Sequence, residues 1–319
     1  MNNQYPIEPP YQVGEIPLPQ HNKSYLGLAG TFSSTLGYPL GQVNYISLIQ
    51  NNGHTLELEV NHDSFTTIKT TADNLHLSQT DNLWLWVSVS SDHQLESWRM
   101  FKSDLPVQLI HTLYQYAQHI DALLGLFNLI DQFKQPRIKV FAQSLLYNEP
   151  LMKSWLSIGA SKQHHHSFPG GLMLHSLEVA EFVKNALNHY QNEISTDEIE
   201  ITILAALLHD LGKVKTLSTQ SHTDLGRLVD HEKLTLLILA EPLSQLNQHW
   251  PKGANALQYL LTWNPKEGHC KYQGGELIKH ADQFSTKLSL RRMAFNEKPD
   301  YFYFSQLKIG ERVQYLNRL

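Results

Sequence analysis

His209 and Asp210 stand side by side in the stretch LAALLHDLGKV, after an apolar run, with Gly212 placed to stop a helix and Lys213 just beyond. An adjacent imidazole and carboxylate at a helix end offer mixed nitrogen and oxygen ligands to one cation. The helix dipole favours a histidine near a C-terminus, which accounts for His209 but leaves Asp210 as a negative charge at the wrong end. Asp210 therefore needs a positive partner, either Lys213 or a metal ion. His175, in GGLMLHSLEVAEFV, shares one helical face with Val179, Phe182 and Ala186, so it points inward, while Glu178 and Glu181 lie elsewhere. A lone inward histidine is ordinarily a hydrogen-bonded core residue. Asp282, in GELIKHADQFSTKLSLRRM, sits beside an apolar stripe of Leu277, Ala281, Phe284 and Leu288. A carboxylate at the edge of a buried face needs a partner. His280 faces away from it.

Taken together, His175, the pair His209-Asp210 followed by LGK, and Asp282 in ADQFSTK resemble the HD-domain superfamily of metal-dependent phosphohydrolases. Within it, HHHSFPGGLMLHSLEVA is similar to two groups. One is the YhaM-type 3′-5′ exoribonucleases, which carry an oligonucleotide-binding barrel ahead of the HD domain. The other is the HD region of MobH/TraI-type conjugative relaxases, a likeness confined to that region.

The resemblance implies a divalent ion held by His175, His209, Asp210 and Asp282. Thr223, Gly226, Leu228 and His231 also match the pattern of the YhaM-type members, and that resemblance implies His231 as a ligand of a second ion. The plain alternative for His231 is a solvated first-turn residue behind Asp230, a good N-cap. A further histidine usual in two-metal members is missing: Trp263 and Asn264 occupy its place and His269 is displaced into a loop, so one or two ions both fit. Mixed imidazole and carboxylate ligands suit Mn²⁺ first, then Fe²⁺ or Co²⁺.

In the same reading Asp210 orients the nucleophile and Lys213 stabilises charge on phosphate oxygens. His165 and His166, at the rim before the Pro-Gly-Gly turn, contact the scissile phosphate or protonate the leaving oxygen, and His164 is exposed. Lys287, Arg291 and Arg292 form a basic run that can follow a phosphate backbone or simply face solvent. Exposed Trp84, Trp86 and Trp98 can stack unpaired bases, although tryptophans in small barrels are more often core.

The elements that must carry these residues are mostly helices. From Pro106 onward the apolar spacing predicts helices over 109–133, 138–158, 172–190, 197–211, 231–247, 253–263 and 274–292, an all-α C-terminal part. Before it, residues 24 to 101 read as strands. Leu56, Leu58 and Val60 alternate with Glu57 and Glu59, and Leu85, Val87 and Val89 face opposite Trp84 and Trp86. The expected fold is α+β: an extended tail at 1–20, an OB-like β-barrel at 21–105, and a helical HD bundle at 106–319. The aromatic C-terminal stretch DYFYFSQLKIGERVQYLNRL has to pack on something, but its pattern does not say what.

Composition sets the frame. With 319 residues, 41% apolar and 17% charged, the chain reads as globular. Its longest apolar runs are too short for a bilayer span. The first residues lack the basic start and apolar stretch of a secretory signal. The lone Cys270 forms no internal disulfide, so a reducing cytoplasm is expected. The net charge of −5 argues against nucleic-acid binding by the whole-molecule field while allowing a local basic groove. Three functions are compatible with all this: a 3′-5′ exonuclease on single-stranded RNA or DNA, a nucleotide phosphohydrolase, and a non-catalytic nucleic-acid-binding or mobilisation protein with a decayed site. A homo-oligomer is open in each.

Overall fold

Fifteen residues, KSYLGLAGTFSSTLG, form the first strand, β1 (Lys23–Gly37), of the computed structural model, which describes residues 23–37, 41–75, 82–92, 94–162, 166–218, 222–309 and 312–319. The tail expected at 1–20, and His164 and His165, lie outside the described residues. The chain divides into two units, Met1–His111 and Thr112–Leu319.

In the first unit β1 is long enough to serve two partners. From Leu28 to Gly37 it pairs with β2 (Gly41–Ile49), with a register shift between Ala29 and Phe32. β3 (Thr55–Val60), α1 (His62–Leu75), β4 (Asn82–Val89) and β5 (Leu95–Ser103) follow, and β4 pairs with the first half of β1. The antiparallel sheet has the order β3-β2-β1-β4-β5 and is not closed into a barrel. This corrects the expected barrel: period-2 patterning decides which face is buried, but not whether the two edge strands meet.

The expected alternation holds. Leu58, Val60, Leu85, Val87 and Val89 are buried in one cluster with Ile46 and Leu48. The same cluster takes Phe65 and Ile68 from α1, a helix where only strands were expected. Its buried residues Phe65, Ile68, Ala72 and Leu75 lie three and four apart, and Asn61 Oδ1 accepts from Ser64 N at its start, so both signals of a helix are present. Trp84 takes the core alternative. It is fully buried, stacked on Phe101 at 6.1 Å between ring centroids and edge-on to His111 at 5.2 Å. Trp86 is half-buried, and Trp98 packs against the sheet core. Both faces of β4 are covered, so its tryptophans do core work.

Beyond α2 (Val107–Tyr116) the chain is helical: α3 (Ile120–Gln132), α4 (Pro136–Leu146), α5 (Glu149–Ser157), α6 (Gly171–Asn188), α7 (Thr196–Leu208), α8 (Lys213–Thr216), α9 (His231–Ile238), α10 (Ala240–His249), α11 (Pro251–Thr262) and α12 (Gln273–Phe295). The long helices expected over 109–133, 138–158 and 231–247 are each broken in two. Within 138–158, Asn148 caps α5 by accepting from Leu151 N at 3.2 Å, with Pro150 in the first turn. Apolar spacing runs straight through such a break, because both halves bury the same side.

The centre of this unit is α7, buried on every side from Ile199 to Leu208. Even Glu200 is inside, accepting from Lys134 N and Gln135 N at 2.9 and 2.8 Å, so its charge is satisfied at the start of α4. The chain does not end as a helix. Phe304–Ile309 (β6) and Arg312–Asn317 (β7) form an antiparallel hairpin, correcting the all-α expectation for the C-terminal part.

Candidate metal centre

Four side chains from three places on the chain converge. His175 comes from α6, His209 and Asp210 from the end of α7, and Asp282 from α12. One ligand atom from each lies within 4.8 Å of every other. His175 Nε2 is 3.3 Å from Asp210 Oδ2 and 3.2 Å from Asp282 Oδ1. His209 Nε2 is 3.4 Å from Asp210 Oδ2 and 3.9 Å from Asp282 Oδ1. His175, His209 and Asp210 are buried, and Asp282 is half-buried.

The imidazoles are aimed from behind. His209 Nδ1 donates to Ala206 O at 2.7 Å, one turn back in its own helix, which turns Nε2 into the cluster. That Nε2 is buried and makes no hydrogen bond among the described residues. His175 Nδ1 lies 3.2 Å from Ser285 Oγ, and Ser285 donates to Glu178 Oε2 at 2.7 Å. Glu178 also meets His166 Nε2 at 3.3 Å and Arg292 Nη1 at 3.6 Å. Helices α6 and α12 thus touch at two rungs, His175 with Asp282 and Glu178 with Ser285, each three residues apart on its own helix.

Asp210 has two further partners. Oδ2 accepts from Lys213 Nζ at 2.5 Å and Oδ1 lies 3.1 Å from His231 Nε2. Gly212 makes the second contact possible. Its backbone is right-handed (φ −59°, ψ −18°), so it is not the left-handed stop expected, and a Cβ there would meet His231 O at 1.9 Å. Gly212 N also donates to Thr235 Oγ1 at 2.8 Å, seating α9 directly against the HD turn. At the other end of the centre Gly170 adopts φ +77° to start α6, as the Pro-Gly-Gly break predicts.

The electrostatics favour a cation here. Burial opposes charge on His175, yet hydrogen bonds to Asp210 and Asp282 outweigh it and raise the imidazole to about 9. Burial likewise opposes the Asp210 carboxylate, but the Lys213 and His209 charges hold it well below the ordinary range. Asp282 is lowered too: its burial is outweighed by the His175 hydrogen bond and the His209 charge. Two carboxylates kept ionised around a ring that takes up a proton mark a place where positive charge is stabilised. The donor set, two imidazole nitrogens and two carboxylates with one nitrogen unsatisfied, fits a divalent first-row ion.

A cleft of about 490 Å³ opens beside Lys213 and His231, lined also by Lys162, Thr216, His222 and Gly226. Other expected site residues fall differently. His166 is 4% exposed, behind His175 and not at the rim, with φ +49°. It forms a second potential ligand group with His175 and Glu178. Lys287, Arg291 and Arg292 are exposed on α12. His269 and His280 are exposed, and Asn264 caps a short turn by accepting from Lys266 N. Phe182 and Phe284, expected inside, are 41% and 49% exposed and pack on each other at 5.6 Å. Glu178 and Ser285 were missed. α6 is buried nearly all round in its first turns, so an apolar stripe could not tell which polar residue was inside.

The HD domain family model matches residues 172–287, a stretch that spans His175, His209, Asp210 and Asp282. Three curated relatives are each named 3′-5′ exoribonuclease YhaM. That of Bacillus licheniformis is 25% identical over 170 residues, 50% of this chain and 52% of the relative. The Halalkalibacterium halodurans protein is 26% identical over 165 residues, 51% and 49%. The Bacillus pumilus protein is 26% identical over 129 residues, 40% and 39%. The chain thus spans about half the length, or less, of the curated relatives it matches. No solved structure matches it. HD domain and relatives together support a metal-dependent phosphohydrolase or nuclease. No described helix is long and apolar enough to cross a membrane.

Proposed function

We propose that this chain is a metal-dependent phosphodiesterase that removes nucleotides one at a time from the 3′ end of single-stranded RNA or DNA, with manganese as its ion. The observation that carries this reading is the convergence of His175, His209, Asp210 and Asp282 beside a cleft lined by two lysines and two further histidines. His175, His209, Asp210 and Asp282 would hold the divalent ion, which when bound would supply charge stabilisation and lower the pKa of a water. The chain's own residues do the rest. Asp210, fixed between Lys213 and His231, orients the nucleophile. Lys213, beside the cleft, neutralises non-bridging phosphate oxygens. His231, held by Asp210 Oδ1 and facing the cleft, is placed to pass a proton to the leaving oxygen. The names of the relatives favour an RNA 3′ end.

A second reading, hydrolysis of a free nucleotide, is favoured by the cleft's size, since about 490 Å³ suits one nucleotide. Single strands labelled at the 5′ end and incubated with Mn²⁺ separate the two. A ladder shortening from the 3′ end with release of mononucleotides is expected. Internal cuts, or turnover of free nucleotides with strands left intact, would overturn the exonuclease reading.

A further inference from the structure

The outward face of the C-terminal hairpin carries the strongest unexplained surface. The register pairs Phe304 with Asn317, Gln306 with Tyr315 and Lys308 with Val313, so these six side chains share one face. The other face packs on α12, where Ser305 is 1% exposed and its Oγ donates to Ala294 O. Burial follows the same alternation. Phe304 is 48%, Val313 45% and Tyr315 65% exposed, and Tyr301 and Tyr303 just before the hairpin are 76% and 72% exposed. Phe304 and Tyr315 stand nearly parallel, 19° apart with centroids at 6.0 Å. Apart from their contact with each other, aromatic rings this exposed across a two-stranded ribbon bury little against the chain, and such a patch marks an interaction surface.

We infer that this face is a platform on which unpaired bases of a single-stranded nucleic acid stack. Two rings, two amides and a lysine form it, with Val313 as its one aliphatic residue. Rings stack on bases of any sequence, amides meet base edges, and the cation follows the backbone. The local charge is complementary: residues 298 to 319 hold four basic side chains (Lys298, Lys308, Arg312, Arg318) against two acidic ones (Asp300, Glu311), net +2 in a chain of net −5. Arg318 is used structurally, donating to Phe302 O and Lys298 O and lying over Phe295, which holds the base of the hairpin. Lys308 and Arg312 are exposed and make no ion pair among the described residues. Exposed Arg291, beside Tyr303 and Arg318, extends the cationic surface.

The platform rests on the nucleic-acid reading proposed above and gives it a substrate-holding surface. Ala294, which anchors the hairpin, lies twelve residues along α12 from Asp282, about 18 Å at helical rise. That rise corresponds to only a few nucleotides of extended strand, so strands longer than this are expected to gain from the platform and mononucleotides are not.

The test is fluorescence anisotropy with a labelled single strand of about fifteen nucleotides, with divalent ions chelated so that binding is read without turnover. Phe304→Ala and Tyr315→Ala are each expected to weaken binding about tenfold. Tyr315→Phe, which keeps the ring, is expected to bind as the parent does. Phe304→Leu and Tyr315→Leu keep apolar strand-forming side chains, so a loss in these, with an unchanged circular dichroism spectrum, assigns the effect to the rings and not to an unfolded hairpin. Tyr190→Ala removes an exposed aromatic elsewhere and is expected to change nothing. Equal binding by all variants would overturn the platform while leaving the hydrolytic reading standing. Loss of self-association by the alanine variants with strand binding intact would also overturn it, in favour of a protein interface. Failure of the parent protein to bind any strand would overturn it as well, and hydrolysis of bis(p-nitrophenyl) phosphate then decides the chemistry separately.

Discussion

His231 Nε2 lies 3.1 Å from Asp210 Oδ1, although the two residues belong to different helical segments, because Gly212 lets the backbone of α9 press against the HD turn. A methyl group at 212 would meet His231 O at 1.9 Å and Thr235 N at 2.9 Å, both backbone atoms that move only if α9 moves. Gly212→Ala is expected to cost about 1–3 kcal/mol of stability, as overpacking does, and to reduce hydrolysis by displacing His231. Urea unfolding followed with an activity assay checks this; unchanged values would show that α9 is not seated as described.

The second layer of the centre predicts a selective loss. Ser285→Ala removes the hydroxyl between His175 Nδ1 and Glu178 while leaving every proposed metal ligand in place. Metal affinity is expected to fall about 10–100-fold. Titration with Mn²⁺ or Co²⁺ reads it, and Ser285→Thr, which keeps the hydroxyl, is expected to recover most of the affinity.

The raised imidazole of His175 sets two pH dependences of opposite sense. In the metal-free protein its stabilisation is fully present below 6.5 and is lost as pH rises through about 9, so the chelated protein's urea midpoint is expected to fall across that window. A metal ligand must be deprotonated, so metal binding below pH 9 displaces the His175 proton, and affinity is expected to rise about tenfold per pH unit toward it. The lowered carboxyls of Asp210 and Asp282 release nothing over that range. Calorimetry in buffers of different ionisation enthalpy measures the proton; no release would place His175 outside the ligand set.

Trp84 makes the opposite kind of prediction, since it is stacked inside the first unit on Phe101 and His111. Trp84→Ala is expected to cost about 3–5 kcal/mol, read by urea unfolding, with no change in strand binding at temperatures where the variant remains folded. A specific loss of strand binding without loss of stability would return Trp84 to the surface role its alternation suggested.

These residues also show what could be read from the sequence and what could not. The convergence of His175, His209, Asp210 and Asp282 was legible through the resemblance their combination carries; taken singly, each had an ordinary alternative, and only Asp210, a negative charge at a helix C-terminus, called for a partner. The sheet was legible from the alternation in TLELEV and LWLWVSV. The inward turn of Glu178 was not, because α6 is buried all round where Glu178 follows His175. Phe182 and Phe284 misled for a related reason: each shares a helical face with buried residues but sits at its rim, where they cover one another. Helix breaks at Asn148 and Leu239 leave the apolar period intact, and α1 was overlooked although Asn61 and the spacing from Phe65 to Leu75 announce it. Whether β3 and β5 would close a barrel depends on strand tilt and register, which no single strand's pattern contains.

The proposed phosphodiesterase activity depends on a divalent ion held by His175, His209, Asp210 and Asp282. Its most direct test is the bound-metal content and strand hydrolysis of the purified protein beside Asp210→Asn, which keeps the shape of the side chain and removes its charge. A divalent ion is expected in the parent protein and not in the variant, with hydrolysis reduced by at least about a thousandfold. Hydrolysis that survives the substitution, or metal bound equally by both proteins, would contradict it.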